Sequence, residues 1–211
     1  MEKPDIRVVL GRGGSGKSTL ARHWVDRIRK KPARIVVFDP NAEANYGDGA
    51  MIATTQAELV ELLLPNPKRL LVCYRPAMVP GEGDYQRQRV AAFEACNEVA
   101  WVAENVWLVW EEVDKVSAAG HLPTFAGAIV DQGRHRDIRV IACARRPAKV
   151  PRDLTANASR IAAFLTTERN DLAYYADTLG AEAAASIAAL AQYTALDWTE
   201  AGASVKKSPF E

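Results

Sequence analysis

The 211-residue sequence predicts an α/β fold in three layers, a mostly parallel sheet with helices on either side. Three observations predict it. Short β-branched or apolar runs recur along the chain, helical spacing fills the gaps between them, and apolarity within each run is continuous rather than alternating, as strands covered on both faces require. Ile6–Leu10 is the first run and ends at a glycine cluster; Leu20, Trp24 and Ile28 then recur every fourth position, so strand, glycine-rich turn and helix (17–30) follow in order. Pro32 ends that helix, Arg34–Phe38 is the second strand, and Asp39-Pro40-Asn41 terminates it. Thr55 with Glu58 three residues on reads as a capping box for a helix through Leu64, which Pro65 closes. Leu70–Tyr74 is a third strand. A polar loop over 75–84 with Pro76, Pro80, Gly81 and Gly83 leads into a long helix over 85–104. Val106–Trp110 and Ile138–Ala144 are further strands, 161–165 is a sixth element, and 170–180 and 181–193 read as two closing helices. Residues 195–211 read as a C-terminal hairpin or tail. With no internal repeat, low-complexity tract or linker, residues 1–211 are expected to form a single domain.

Composition narrows the function. At 48% hydrophobic and 25% charged the chain is neither disordered nor a disulfide scaffold. Cys73, Cys96 and Cys143 are far apart and each lies in an apolar run, the pattern of small core residues in a reducing compartment. No apolar run reaches the roughly 18 residues of a membrane span, and the charged first five residues do not resemble a signal peptide. The 27 lysines and arginines against 26 acids give +1, yet seven basic residues and one acid fall between Arg134 and Arg152, a local +6 that could form a phosphate-facing stripe. His23, His121 and His135 share no metal-ligand spacing, and the tryptophans fall within apolar elements as core or subunit contacts.

Gly11-Arg12-Gly13-Gly14-Ser15-Gly16-Lys17-Ser18 fits G-x-x-x-x-G-K-[ST] between a strand and a helix, the context a phosphate-binding loop requires. Gly11, Gly13, Gly14, Ser15 and Gly16 let successive backbone N–H groups converge on phosphates, and Lys17 brings a point charge to the β and γ oxygens. Ser18 offers a hydroxyl to Mg²⁺, and Thr19 reaches toward the α-phosphate. The expected cofactors are therefore ATP and Mg²⁺. Val106–Trp110 delivers Glu111 and Glu112 at a strand's carboxyl end, where ligands bind in open α/β sheets. Glu111 is assigned to the metal and Glu112 to orienting the attacking water.

Taken together, GRGGSGKST, LVWEE and GRHRDIRVIACARRPAKVPRDLTANAS resemble the FtsK/HerA superfamily of P-loop DNA motors, in particular the viral branch that packages double-stranded DNA. ERNDLAYYADTLG is similar to the family's downstream helix. The resemblance implies a RecA-like ATPase fold of the type with an added catalytic glutamate. It also implies a hexameric ring around double-stranded DNA bound without sequence preference. Arg134 or Arg136 matches the position from which the family sends an arginine finger into the adjacent subunit's site. The family usually has glutamine as a γ-phosphate sensor at the end of the following strand, where this chain has Arg145. Arg75, Arg87 and Arg89, on or beside the 75–89 loop, are candidate DNA contacts. A bare motor of this length favours genome packaging, with a capsid or membrane vertex protein as docking partner and a place in the host cytoplasm or virion. A competing reading is a nucleotide-dependent switch resembling ParA/MinD proteins, suggested by Arg12-Gly13-Gly14 and by Asp39-Pro40-Asn41. Arginine in place of their signature lysine and the double glutamate speak against it. A small-molecule kinase would want a lid and an acceptor pocket that the sequence does not display.

Overall fold

The computed structural model describes residues 5–43, 45–66, 68–78, 81, 84–117 and 120–206. Its strands are β1 (Ile6–Leu10), β2 (Arg34–Phe38), β3 (Met51–Ala53), β4 (Leu70–Tyr74), β5 (Val106–Trp110), β6 (Ile138–Ala144), β7 (Arg160–Phe164), β8 (Ala195–Thr199) and β9 (Gly202–Lys206). The helices are α1 (Lys17–Ile28), α2 (Gln56–Leu63), α3 (Tyr85–Ala103), α4 (Thr124–Gln132), α5 (Arg152–Ala156), α6 (Arg169–Leu179) and α7 (Ala181–Ala188). One sheet runs β3-β4-β2-β5-β6-β1-β7-β8-β9; it is parallel through β7, and β8 and β9 add an antiparallel hairpin at one edge.

The all-buried strands β2, β4 and β5 have the continuous apolarity of covered strands. The two layers of helix are unequal, however. Ile6, Val8 and Leu10 face the larger core, to which α2, α3, α4, α5, α6 and α7 all contribute buried side chains. Val9 faces the other core, where Leu20, Ala21, Trp24 and Val25 of α1 and Tyr46 of the β2–β3 connection cover the sheet. Toward the amino ends of the strands on this face, Arg7 lies in register with Arg160 of β7 and Trp107 with Arg139 of β6, and the three guanidiniums lie over the rings of Trp24 and Trp107 at 4.8 to 5.8 Å.

Local devices hold the elements in place. Thr55 and Glu58 form the capping box of α2, and Asp84 accepts hydrogen bonds from the backbone N–H groups of Gln86 and Arg87 at the start of α3. Buried Arg34 donates to the Ala103 and Glu104 carbonyls and to the Leu63 carbonyl, closing the carboxyl ends of α3 and α2 with one guanidinium. Trp110 Nε1 donates to Asn97 Oδ1 at 2.9 Å, so the one polar atom of the largest core side chain has a partner.

The basic segment 134–152 is not one stripe. Arg134 and Arg136 precede β6 and Arg145 follows it, so the seven residues of this strand, at about 3.3 Å each, hold the two groups roughly 20 Å apart. Acids also partner many of these cations: Arg136 with Glu104, Arg139 with Asp137, Arg146 with Glu168 and Asp171, and Arg152 with Asp177. Paired and divided in this way, the local +6 does not present a continuous phosphate-facing surface.

Candidate active site

The carboxyl ends of β1, β2, β5 and β6 converge on one cleft of about 400 Å³, lined by 13–19, Arg22, Asp39, Pro40, Asn41, Glu43, Glu111, Glu112, Arg145 and Tyr193 among others. Chain order places it there: the connection after β1 turns into α1, while β5 and β6 flank β1 on one side and deliver their own loops to the same edge. The Gly11 N–H donates to the Ala144 carbonyl at 3.2 Å, tying the first loop to the end of β6.

The loop depends on glycine at two kinds of position. Gly14 and Gly16 have φ of +72° and +105°, which L side chains rarely adopt. At Gly11 a Cβ would lie 2.6 Å from Phe164 Cβ, so the loop approaches β7 more closely than any side chain allows. Lys17 is buried and its Nζ donates to the Arg12 carbonyl at 2.8 Å. Burial lowers its pKa from the ordinary lysine value, opposed in part by Glu111 and Asp114. Ser15 Oγ is buried with no hydrogen-bond partner among the described residues, whereas Ser18 and Thr19 are exposed to the cleft. Backbone N–H groups at a helix start, a buried cation and a spare hydroxyl are a donor set for phosphate oxygens.

Glu111 and Glu112 leave β5 side by side but in different surroundings. Tyr46 Oη donates to Glu111 Oε1 at 2.5 Å, both groups being buried. Burial pushes the Glu111 carboxyl above the ordinary range; Asp39 and Glu112 add to this, while Tyr46 and Lys17 oppose it. Glu112 has a left-handed backbone, φ 54° and ψ 45°, and receives Arg145 Nη2 on Oε1 and Asn41 Nδ2 on Oε2. Arg89 stands 3.9 Å from Glu112 Oε2 and donates to Asn41 Oδ1 at 3.2 Å. Asp114 Oδ1 accepts from the Arg145 backbone N–H at 3.0 Å, bracing the end of β6 against the turn after β5. Ser18 and Glu111 face the same cleft and could together hold a divalent cation, and Mg²⁺ needs only one or two protein donors when phosphates supply the others.

Some arginines lie where the sequence does not suggest. Arg89 is buried on α3, where it backs the cleft residues Asn41 and Glu112 rather than standing on an exposed DNA-facing loop. Arg75 pairs with buried Asp39 at 2.9 Å. Only Arg87, 88% exposed beside Asp84, has the exposure a DNA contact needs. Gly83 and Pro80 of that loop lie outside the described residues. Arg134 is exposed with its Nε toward His135, and Arg136 Nη1 donates to Glu104 at 2.6 Å with its guanidinium 4.2 Å from the Trp101 ring. Both stand at the amino end of β6, the edge opposite the cleft of their own chain.

Asn41, Tyr46, Asp114 and Tyr193 belong to the cleft or its bracing without a sequence signal for that role. Asn41 reads as a turn residue, and Tyr46 falls in an aperiodic connection. Asp114 is one more acid in an acidic run, its position three residues after Glu111 being the only available hint.

Comparison with known proteins fits this geometry. The helicase HerA central domain matches residues 8–100. The genome packaging NTPase of Sulfolobus turreted icosahedral virus 2, in complex with sulfate, superposes with a TM-score of 0.74 at 22% identity, covering 99% of this chain and 98% of that one. The same NTPase in complex with AMPPCP gives 0.73 at 22% identity over 97% and 98%. VirB4 of Thermoanaerobacter pseudethanolicus gives 0.72 at 10% identity over 96% and 89%. No curated protein matches the sequence. The fold is thus the RecA-like P-loop fold, and the resemblance to FtsK/HerA proteins holds.

Proposed function

We propose that this chain, a P-loop protein of the HerA/FtsK kind, hydrolyses ATP to move double-stranded DNA, and that its task is packaging a viral genome. The observation that carries the ATPase reading is the single cleft in which Lys17 of the phosphate loop, Glu111 and Glu112 of β5 and Arg145 of β6 meet. The packaging reading is supported by the likeness to a viral genome packaging NTPase along nearly the full length of both chains.

Residues take the following roles. The 11–16 backbone and Lys17 bind the phosphates, with Ser15 Oγ as an added donor and Thr19 toward the α-phosphate. Ser18 and Glu111 hold Mg²⁺, which neutralises charge on the phosphate oxygens when bound. Tyr46 fixes the Glu111 carboxylate. Glu112 orients and polarises the attacking water, and Arg145, in place of a neutral sensor amide, places a guanidinium where charge develops on the γ-phosphoryl group. Arg134 or Arg136 acts on a neighbouring subunit, because neither faces the cleft of its own chain. A hexameric ring with DNA through its centre satisfies that geometry. The ring docks on a capsid or membrane vertex protein, in the host cytoplasm or on the virion. Arg87 is the remaining candidate for a phosphate contact from the loop before α3.

The test is steady-state ATP hydrolysis with and without long double-stranded DNA across a salt series, with Lys17→Ala as the blank. Stimulation that fades steeply with salt is expected for a motor tracking phosphates. Hydrolysis indifferent to DNA in the assembled ring would overturn the motor reading and leave an ATPase of another kind.

A further inference from the structure

The wall of the cleft carries one large aromatic side chain in the open. Tyr193, in the turn between α7 and β8, is 60% exposed. Its backbone is left-handed, with φ +64°, a conformation that costs free energy for a bulky residue and calls for an explanation. The ring lies against the phosphate loop: a Cβ on Gly16 would stand 3.6 Å from Tyr193 Cδ1 and 3.4 Å from Phe164 Cε1. Tyr193 lines the main cleft and also an adjoining cavity of about 240 Å³ bounded by 12–15, Leu165 and Gln192.

Sheet order fixes which end of the cleft this is. The loop leaves β1, with β6 and then β5 on one side and β7 and then β8 on the other. Glu111, Glu112 and Arg145 end β5 and β6, so the groups suited to the terminal phosphoryl lie on that side. Tyr193 leads into β8 on the other side. A triphosphate laid along the loop with its γ end toward Glu112 therefore directs its nucleoside toward the exposed face of Tyr193.

We infer that Tyr193 is a stacking platform for the nucleobase, which makes the ligand of this cleft a nucleoside triphosphate rather than a bare polyphosphate. The inference rests on the reading of 11–18 as a nucleotide-binding loop. Stacking on a phenol ring uses the π-face that every base has, so the platform favours binding without choosing strongly between adenine and guanine.

Calorimetric titration of the full chain with ATP, GTP and inorganic tripolyphosphate separates the roles. Tyr193→Ala is expected to weaken ATP and GTP by about tenfold, leave tripolyphosphate within about twofold, and be rescued by Tyr193→Phe. In Tyr193→Trp, ATP is expected to quench the introduced indole and tripolyphosphate to leave it unchanged. Equal weakening of ATP and tripolyphosphate by Tyr193→Ala would show that the ring merely supports the loop, and no weakening of either would remove it from the site; both overturn the platform. An unsubstituted chain that binds tripolyphosphate as tightly as ATP would overturn the platform while leaving the loop's role standing. One that binds neither would overturn both.

Discussion

Arg145 Nη2 lies 2.5 Å from Glu112 Oε1, and the opposite oxygen of the same carboxylate receives Asn41 Nδ2 at 2.8 Å. The carboxylate is thereby held from both sides, by a side chain from β6's end and one from β2's. Asn41 is in turn held by Arg89 of α3, so three elements converge on one functional group. Arg145 is the half-exposed partner, and a phosphate anion in the cleft would compete with Glu112 for its guanidinium.

If Glu112 orients the water, Glu112→Gln keeps nucleotide affinity and lowers hydrolysis by about 10²- to 10⁴-fold, the usual scale of a lost general base. Asn41→Ala removes one of the two groups that aim it and is expected to lower kcat by about tenfold with affinity little changed. Equilibrium binding and single-turnover hydrolysis measured on the same preparations check both. Unchanged turnover in Glu112→Gln would remove the residue from the chemistry.

Glu111 makes a pH-dependent prediction. Its carboxyl titrates above the ordinary range because it is buried. The folded chain therefore holds that proton more tightly than the unfolded chain does. Stability falls as pH rises from the ordinary carboxylate value of about 4.3 to the raised one, and the full cost persists above it. Glu111→Gln should melt higher than the unsubstituted chain at pH 8, with the difference shrinking on acidification and vanishing below about pH 4, where the carboxyl is protonated in both states. Thermal melts across pH without nucleotide test this. A difference independent of pH would assign it to packing instead.

What the sequence discloses here follows from how local the cause is. The loop at 11–18 is legible because glycine conformations and a following helix are local requirements, and β1, β2, β4, β5 and β6 are legible because covered strands are apolar throughout. The three-residue β3, with exposed Met51 and Ile52, and α4, which opens at Pro123 without a side-chain cap, carry little local signal. The closing helix expected over 181–193 stops at Ala188, freeing the turn that presents Tyr193. Arg89 shows the other kind of failure. A charged residue at the start of a helix after a polar loop reads as surface, and only the fold reveals that Asn41 and Glu112 give it partners inside.

The arginine finger is tested by complementation. Arg134 and Arg136 lie at the far edge of the sheet from their own cleft; if either completes a neighbouring subunit's site, its loss is repaired only at a mixed interface. Lys17→Ala subunits supply an intact arginine, and arginine-deficient subunits supply an intact loop. Mixing the two is expected to restore part of the hydrolysis that each lacks alone. The clearer rescue is expected with Arg134→Ala, because Arg136→Ala also removes the Glu104 ion pair and the contact with Trp101. Absence of rescue in assemblies shown to contain both subunits would remove these arginines from the neighbouring site.

Gly11→Ala tests the close approach of the phosphate loop to β7. The added methyl would meet Phe164 Cβ at 2.6 Å, with Phe164 Cα at 3.3 Å behind it, so a flexible side-chain end is not what must yield. Gly11 has φ +148°, which adds backbone strain to the overlap. Either β7 moves outward or the loop lifts from its seat on the Ala144 carbonyl. A loss of about 1–3 kcal/mol in unfolding free energy is expected from overpacking of this kind. Nucleotide affinity should fall as well, because the N–H groups of 13–17 converge only while the loop stays seated. Gly13→Ala is the matched control, since a Cβ there meets nothing within 4 Å and φ is not positive. Denaturant unfolding of the two variants should separate them, and equal stability would mean that the loop does not need its contact with Phe164.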